Sequence, residues 1–151
     1  WGVKEKLVYL LDVYRERLDY PGLKRAVRDR QEASKADVVL IEDKGSGISL
    51  IQELSQEGLY AVKGYKPEGD KVTRLYTQCG MIESQLVRFP RKAPWLDGYL
   101  HELLTFPRGK HDDQVDSTSQ ALDWIKNAGF ECGFLQMVRA DLKAWGKYPV
   151  R

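Results

Sequence analysis

Apolar positions come in short blocks separated by charged, glycine-bearing or proline-bearing stretches. Leu7 to Tyr14 is apolar and β-rich, and predicts a strand. Trp1-Gly2-Val3 reads as the end of a strand before it, with Lys4-Glu5-Lys6 as the hairpin turn. Arg15 to Asp19 continues with alternating charge as a strand edge, and Tyr20-Pro21-Gly22 breaks it. From Leu23 to Ser34 the apolar stripe is Leu23, Ala26 and Val27 within a charged run, the pattern of a surface helix. Val38-Val39-Leu40-Ile41 is a continuous apolar run, as expected of a strand buried on both faces in a parallel or central position.

Ile48 to Gln56 returns to helical spacing, with Ile48, Leu50, Ile51 and Leu54 apolar and Gly58 as the stop. Leu59 to Val62 predicts a short strand, Lys63 to Asp70 a polar loop and Lys71 to Gln78 a helix. Met81 to Pro90 reads as a last helical turn and a short strand ended by proline. Trp95 to Leu104 is an amphipathic helix bracketed by Pro94 and Pro107. A helix from about Asp112 to Asn127 carries Ala121, Leu122, Trp124 and Ile125. Phe130 to Trp145 predicts one more short helix, and Tyr148 to Arg151 a tail. Strands alternating with helices beside an antiparallel hairpin define an α/β protein.

Composition changes this picture little. Hydrophobic residues make up 42% and charged residues 30%, the balance of a soluble globular domain. A net charge of +2 gives no overall basic field, so any surface for nucleic acid must be a local patch. Cys79 and Cys132 are too few and too far apart for a disulfide framework or a zinc site, which fits reduced thiols in a cytosolic protein. No run is long enough to span a membrane and no signal peptide is seen. The chain starts at Trp1, without methionine, and reads as a fragment.

The densest chemistry lies in Lys110-His111-Asp112-Asp113-Gln114-Val115-Asp116. At the start of a helix, Asp112 and Asp116 share a face, as do Asp113 and Asp116. Acids in a first turn favour the helix dipole, so capping is one reading. Crowded carboxylates are also the donors that Mg²⁺ or Mn²⁺ prefers, so metal binding is the other. A second acidic pair, Glu42-Asp43, closes the apolar Val38–Ile41 run, where α/β proteins place their sites. Lys44-Gly45-Ser46-Gly47 follows, without the spacing of a phosphate-binding or dinucleotide-binding loop. Lys71 and Arg74 share a helical face that could meet a phosphodiester backbone or simply solvent. The aromatics at helical spacing in Trp95–Leu104 read as core.

Four stretches carry a resemblance to a known family: Leu7 to Arg15, Val39 to Gly47, Gly69 to Arg74, and Lys110 to Asp116. In this order and separation they resemble the C-terminal nuclease domain of the large terminase subunit of tailed bacteriophages and prophages. The resemblance implies a ribonuclease H-like mixed sheet flanked by helices, over residues 1–127, with 128–151 as a C-terminal helix and tail. It implies a metal-dependent DNA endonuclease that cuts concatemeric DNA in the host cytoplasm, using two Mg²⁺ or Mn²⁺ ions about 4 Å apart. Its partners would be double-stranded DNA, the small terminase subunit and the portal protein. By resemblance Glu42, Asp112, Asp113 and Asp116 are the catalytic acids, with Glu42, Asp113 and Asp116 as metal ligands. Lys71 and Arg74 match a basic pair on the DNA-facing side, and Asp43 and His111 would support the ligands from behind. In the family a further catalytic Asp lies on a strand ahead of the hairpin, so the domain is expected to be N-terminally truncated, with an incomplete site and weakened or no cleavage. A sheet lacking that strand is expected to dimerise, exchange strands or leave an edge exposed. The alternative is a non-catalytic interaction module in which the acids only cap a helix.

Overall fold

The computed structural model describes residues 1–128. The helix expected at Phe130–Trp145 and the tail lie outside the described residues. The elements are β1 (Gly2–Lys4), β2 (Leu7–Tyr9), α1 (Tyr20–Ser34), β3 (Val39–Glu42), α2 (Ser46–Gln56), β4 (Val62–Tyr65), α3 (Lys71–Glu83), β5 (Val87–Arg88), α4 (Leu96–Thr105) and α5 (Asp113–Asn127). The chain is α/β, and it divides into two compact units.

The first unit comprises Trp1–Val13 and the described residues from Gly69 onward. Its sheet has the order β1-β2-β5, with β1 antiparallel and β5 parallel to β2. The sheet is mixed, with the hairpin at its edge. β2 stops at Tyr9, well short of Tyr14. Its partner β5 has only two residues, the last ladder bond runs from Leu10 N–H to Arg88 O at 2.9 Å, and Pro90 then has no N–H to offer. Val8, Met81, Val87 and Leu122 form the core, flanked by Trp1, Val3, Ile82, Phe89 and Ile125. Met81 and Ile82 therefore belong to the inner face of α3, which runs on to Glu83. α3 and α4 both pack against α5.

The second unit, Tyr14–Glu68, holds α1, β3, α2 and β4. β3 and β4 are parallel, with Glu42 opposite Tyr65. Leu50, Leu54 and Val62 form its core, and Tyr20, Val27, Val39, Ile41, Ile51 and Leu59 pack around them. All four β3 residues are half-buried rather than enclosed on both faces, because the described sheet gives β3 a single neighbour. The expected break at Tyr20-Pro21-Gly22 is instead the first turn of α1. Asp19 Oδ1 accepts from Gly22 N–H at 2.8 Å, and Pro21 occupies a first-turn position, where its missing N–H costs nothing. Arg15–Asp19 is not a strand. The strand expected at Leu59–Val62 lies three residues later. Gly58 takes φ +88° and Leu59 N–H donates back to Leu54 O at 2.9 Å, so Leu59 to Ala61 are spent in closing α2.

Candidate active site

α3 and α5 bring four of the candidate residues together in the first unit. Asp70 sets the start of α3. Its carboxylate accepts from the Thr73 N–H at 3.0 Å and the Thr73 hydroxyl at 2.7 Å. Those bonds, the hydroxyl foremost, hold its carboxyl below the usual carboxylate range. With α3 begun there, Lys71 and Arg74 lie three apart on one face. Asp112 stands at the N-cap of α5 and Asp116 one turn on, its N–H donating to Asp112 O at 2.9 Å. Lys71 Nζ lies 2.8 Å from Asp112 Oδ2 and 2.6 Å from Asp116 Oδ2. Arg74 Nη2 donates to Asp116 Oδ1 at 2.7 Å, and its Nη1 to Gly69 O at 2.8 Å.

Two carboxylates and two cations thus close a network. Hydrogen bonding to Asp112 and then to Asp116 raises the Lys71 ammonium well above its ordinary range. A raised lysine contributes its stabilisation in full below the unfolded value of 10.5 and loses it only as pH climbs through the still higher folded value. Lys71 is therefore charged throughout the physiological range. It is also substantially exposed, so solvent screens the pair. Arg74 is the least exposed member, with a side chain 13% exposed and an Nε that has no hydrogen-bond partner among the described residues. Asp113, at the first position of α5, is exposed, as is His111.

α4 supports this turn from beneath. Glu102 is 5% exposed, a place a carboxylate occupies only when bonded. Its Oε1 accepts from Gln114 N–H at 2.7 Å and its Oε2 from Gln114 Nε2 at 2.6 Å. One turn earlier on α4, the buried Tyr99 hydroxyl meets Thr118 Oγ1 at 2.6 Å. Burial pushes the Tyr99 phenol up to about 12. On α3, Gln78 is 1% exposed and donates through Nε2 to Asp123 Oδ1 at 3.3 Å. Sequence reasoning passed over Glu102, Gln114, Thr118 and Gln78. A signal for Glu102 existed: it is three residues from Tyr99, so it falls on the helix stripe predicted to be buried.

Glu42 and Asp43 lie in the second unit, at the carboxyl end of β3, and both are half-buried. Asp43 N–H donates to Tyr65 O at 2.8 Å, which extends the β3–β4 ladder. The glycines that follow have structural work. Gly45 takes φ +56°, and a Cβ on Gly47 would stand 2.0 Å from Glu42 O. The Gly47 N–H is spent on Lys44 O at 3.0 Å. The turn is a tight strand-to-helix connection, not a cradle of outward-facing amides.

By donor type, Asp112, Asp113 and Asp116 suit a hard divalent cation, since every contact they offer is a carboxylate oxygen. By arrangement they do not form a ready site. Among the described residues no three His, Cys, Asp or Glu side chains are grouped to hold a metal ion. Asp112 and Asp116 are compensated by Lys71 and Arg74 instead.

The site is thus a helix start bearing carboxylates, gripped by two cations from a neighbouring helix in an α/β chain. Comparison with family models makes the assignment particular. The model for the terminase RNaseH-like domain matches residues 1–123, and the chain belongs to that family. No curated protein and no solved structure gives a significant match. The family makes the chain a terminase nuclease-type domain of ribonuclease H-like fold.

Proposed function

We propose that this chain is the nuclease domain of a phage DNA-packaging terminase, hydrolysing phosphodiester bonds of concatemeric double-stranded DNA with Mg²⁺ or Mn²⁺. The observation that carries the reading is the convergence of Lys71 and Arg74 on Asp112 and Asp116, within a chain of the terminase RNaseH-like family. A bound divalent ion would supply an activated water and stabilise the leaving oxygen. The chain's own groups do the rest. Lys71 holds the two carboxylates apart from solvent cations and, once released from them, offers its ammonium to a DNA phosphate. Arg74, bonded both to Gly69 O and to Asp116, fixes the orientation of Asp116. Asp113 is the exposed acid of the turn. Glu42 takes its role from the resemblance of the Val39–Gly47 stretch. Carboxylates and phosphate contacts do not read bases, so cutting is largely indifferent to sequence. The small terminase subunit and the portal protein are the partners such a domain would meet.

Plasmid nicking in Mn²⁺ tests this, with EDTA and the variants Asp113→Ala, Asp116→Ala and Glu42→Ala. Weak metal-dependent nicking lost in the aspartate variants is the expected result, and loss in Glu42→Ala would assign that acid the role its resemblance implies. Nicking that survives EDTA, or that is unchanged in all three variants, would overturn the reading.

The charge balance at Asp112 and Asp116 favours one other reading, a non-catalytic module that docks to DNA or to packaging partners. It predicts no nicking, together with a salt-sensitive DNA affinity that survives Asp113→Ala and falls with Lys71→Ala and Arg74→Ala.

A further inference from the structure

We propose that Glu102 is the positioning residue of the acidic turn: it caps α5 from α4, and so releases Asp112 from capping to face Lys71. The inference rests on the nuclease reading of that turn.

The start of a helix leaves its first N–H groups without partners. An Asp at the N-cap normally satisfies one of them with its own carboxylate. Asp112 holds the N-cap position of α5 and makes no such bond. Its Oδ2 is turned to Lys71 Nζ instead, at 2.8 Å. The vacated task falls to a residue ten positions upstream. Glu102 accepts the Gln114 N–H at 2.7 Å and the Gln114 side-chain amide at 2.6 Å, so both of its oxygens are committed to the same residue.

This arrangement costs more than an ordinary cap. A carboxylate 5% exposed has given up its water, and the charge-assisted hydrogen bonds to Gln114 and the positive end of α5 help offset that loss. A cap supplied by Asp112 itself would avoid the burial. The dearer arrangement makes physical sense because the Asp112 carboxylate is wanted elsewhere. Gln114 sits between Asp113 and Asp116, so holding its backbone and side chain together sets the rotational phase at which all three acids leave α5. The Tyr99–Thr118 bond at 2.6 Å repeats the attachment one turn further along, again from α4 to α5. The acidic turn is thus fastened on the α4 side by buried hydrogen bonds, and the carboxylates of Asp112 and Asp116 face α3.

The test uses Glu102→Ala, Glu102→Gln and Gln114→Ala in the full chain. Each is read by hydrogen exchange of the Gln114 amide and by Mn²⁺-dependent nicking at saturating plasmid, at a temperature where circular dichroism shows the variant folded. Glu102→Ala should speed Gln114 exchange and slow nicking, each about tenfold, as loss of a ligand-supporting group typically does. Glu102→Gln should restore most of both. Its carbonyl can accept the Gln114 N–H, and a flipped Gln114 amide can accept from its NH₂ group. Gln114→Ala keeps the backbone bond and should lose only about threefold, and it decides the matter if Glu102→Ala does not fold. Unchanged Gln114 exchange in Glu102→Ala would overturn the proposal. So would a variant that melts earlier yet nicks at the parental rate, since that marks a role in stability alone. If the parental chain does not nick at all, as an incomplete site would also give, the Gln114 exchange measurement alone decides whether Glu102 caps α5.

Discussion

Two acidic stretches look alike on paper and are held in different ways. Asp112 to Asp116 opens a helix whose carboxylates meet two cations from α3 and whose backbone is gripped by α4. Glu42-Asp43 closes a strand and is shaped by backbone. The Asp43 N–H extends the β3–β4 ladder, Gly45 turns the chain, and Gly47 lets α2 start against the Glu42 carbonyl. The first is a side-chain construction, sensitive to charge and to the α4 contact. The second is a backbone construction, sensitive to the presence of a Cβ. An acidic motif therefore does not reveal how rigid it is, or what would disturb it.

The comparison can be broken most heavily through the cores. Leu122 and Leu54 are each 0% exposed. Leu122→Ala should destabilise the first unit, and Leu54→Ala the second, by about 3 kcal/mol each. Hydrogen exchange would read this as lost protection in α5 for one and in α2 and β4 for the other. If either variant spared its own helix, the assignment of that side chain to its core would be wrong.

Gly47→Ala attacks the backbone construction alone. Its Cβ would stand 2.0 Å from Glu42 O, so the strand-to-helix turn must shift, at a cost of about 2 kcal/mol. Chemical denaturation should show the loss. A neutral outcome would mean that the turn is looser than its geometry implies.

Alkaline pH attacks the side-chain construction. The Tyr99 phenol, raised from 10.0 to about 12, stays protonated in the fold after it would ionise in the unfolded chain. The folded state then binds the extra proton, so stability is full below pH 10 and falls as pH rises toward about 12, by an amount on the order of 2 kcal/mol. Denaturation at stepped pH would show that slope, and Tyr99→Phe should remove most of it, leaving the solvent-screened share of Lys71. A slope that persists in Tyr99→Phe belongs to another group.

The smallest expected effect sharpens the comparison most. Lys71→Met leaves Asp112 without the ammonium it faces and Asp116 with Arg74 alone. Mn²⁺ affinity measured by calorimetry should rise about threefold, since a divalent ion no longer competes with a tethered cation. Unchanged affinity would separate these carboxylates from metal binding.

Much of the α/β frame was readable along the chain. The β3 run Val39–Ile41 and the helix stripe Leu50–Leu54 appear where apolar spacing placed them, because burial imposes its period on the sequence. The ends of elements were less legible. β2 is cut short because β5 is short, and β4 begins late because Leu59 is drawn back toward Leu54. Neither cause is local to the segment concerned. Within the candidate site, Asp112, Asp113 and Asp116 announce themselves by their density, and Lys71 and Arg74 by their shared helical face. Glu102 announces only its burial, by falling on the stripe of Tyr99, and its role shows only when Gln114 is placed against it.

By itself the sequence determined the periodicities, the helix and strand types and the family, all of which depend on residues near one another or on the order of motifs. Only the tertiary structure decided the partners. That Lys71 would answer Asp112 and Asp116 across 41 and more residues, and that Glu102 would cap a helix it does not belong to, follows from how α3 and α4 pack on α5. A charge finds its counter-charge through space, and the length of chain between them carries no record of it.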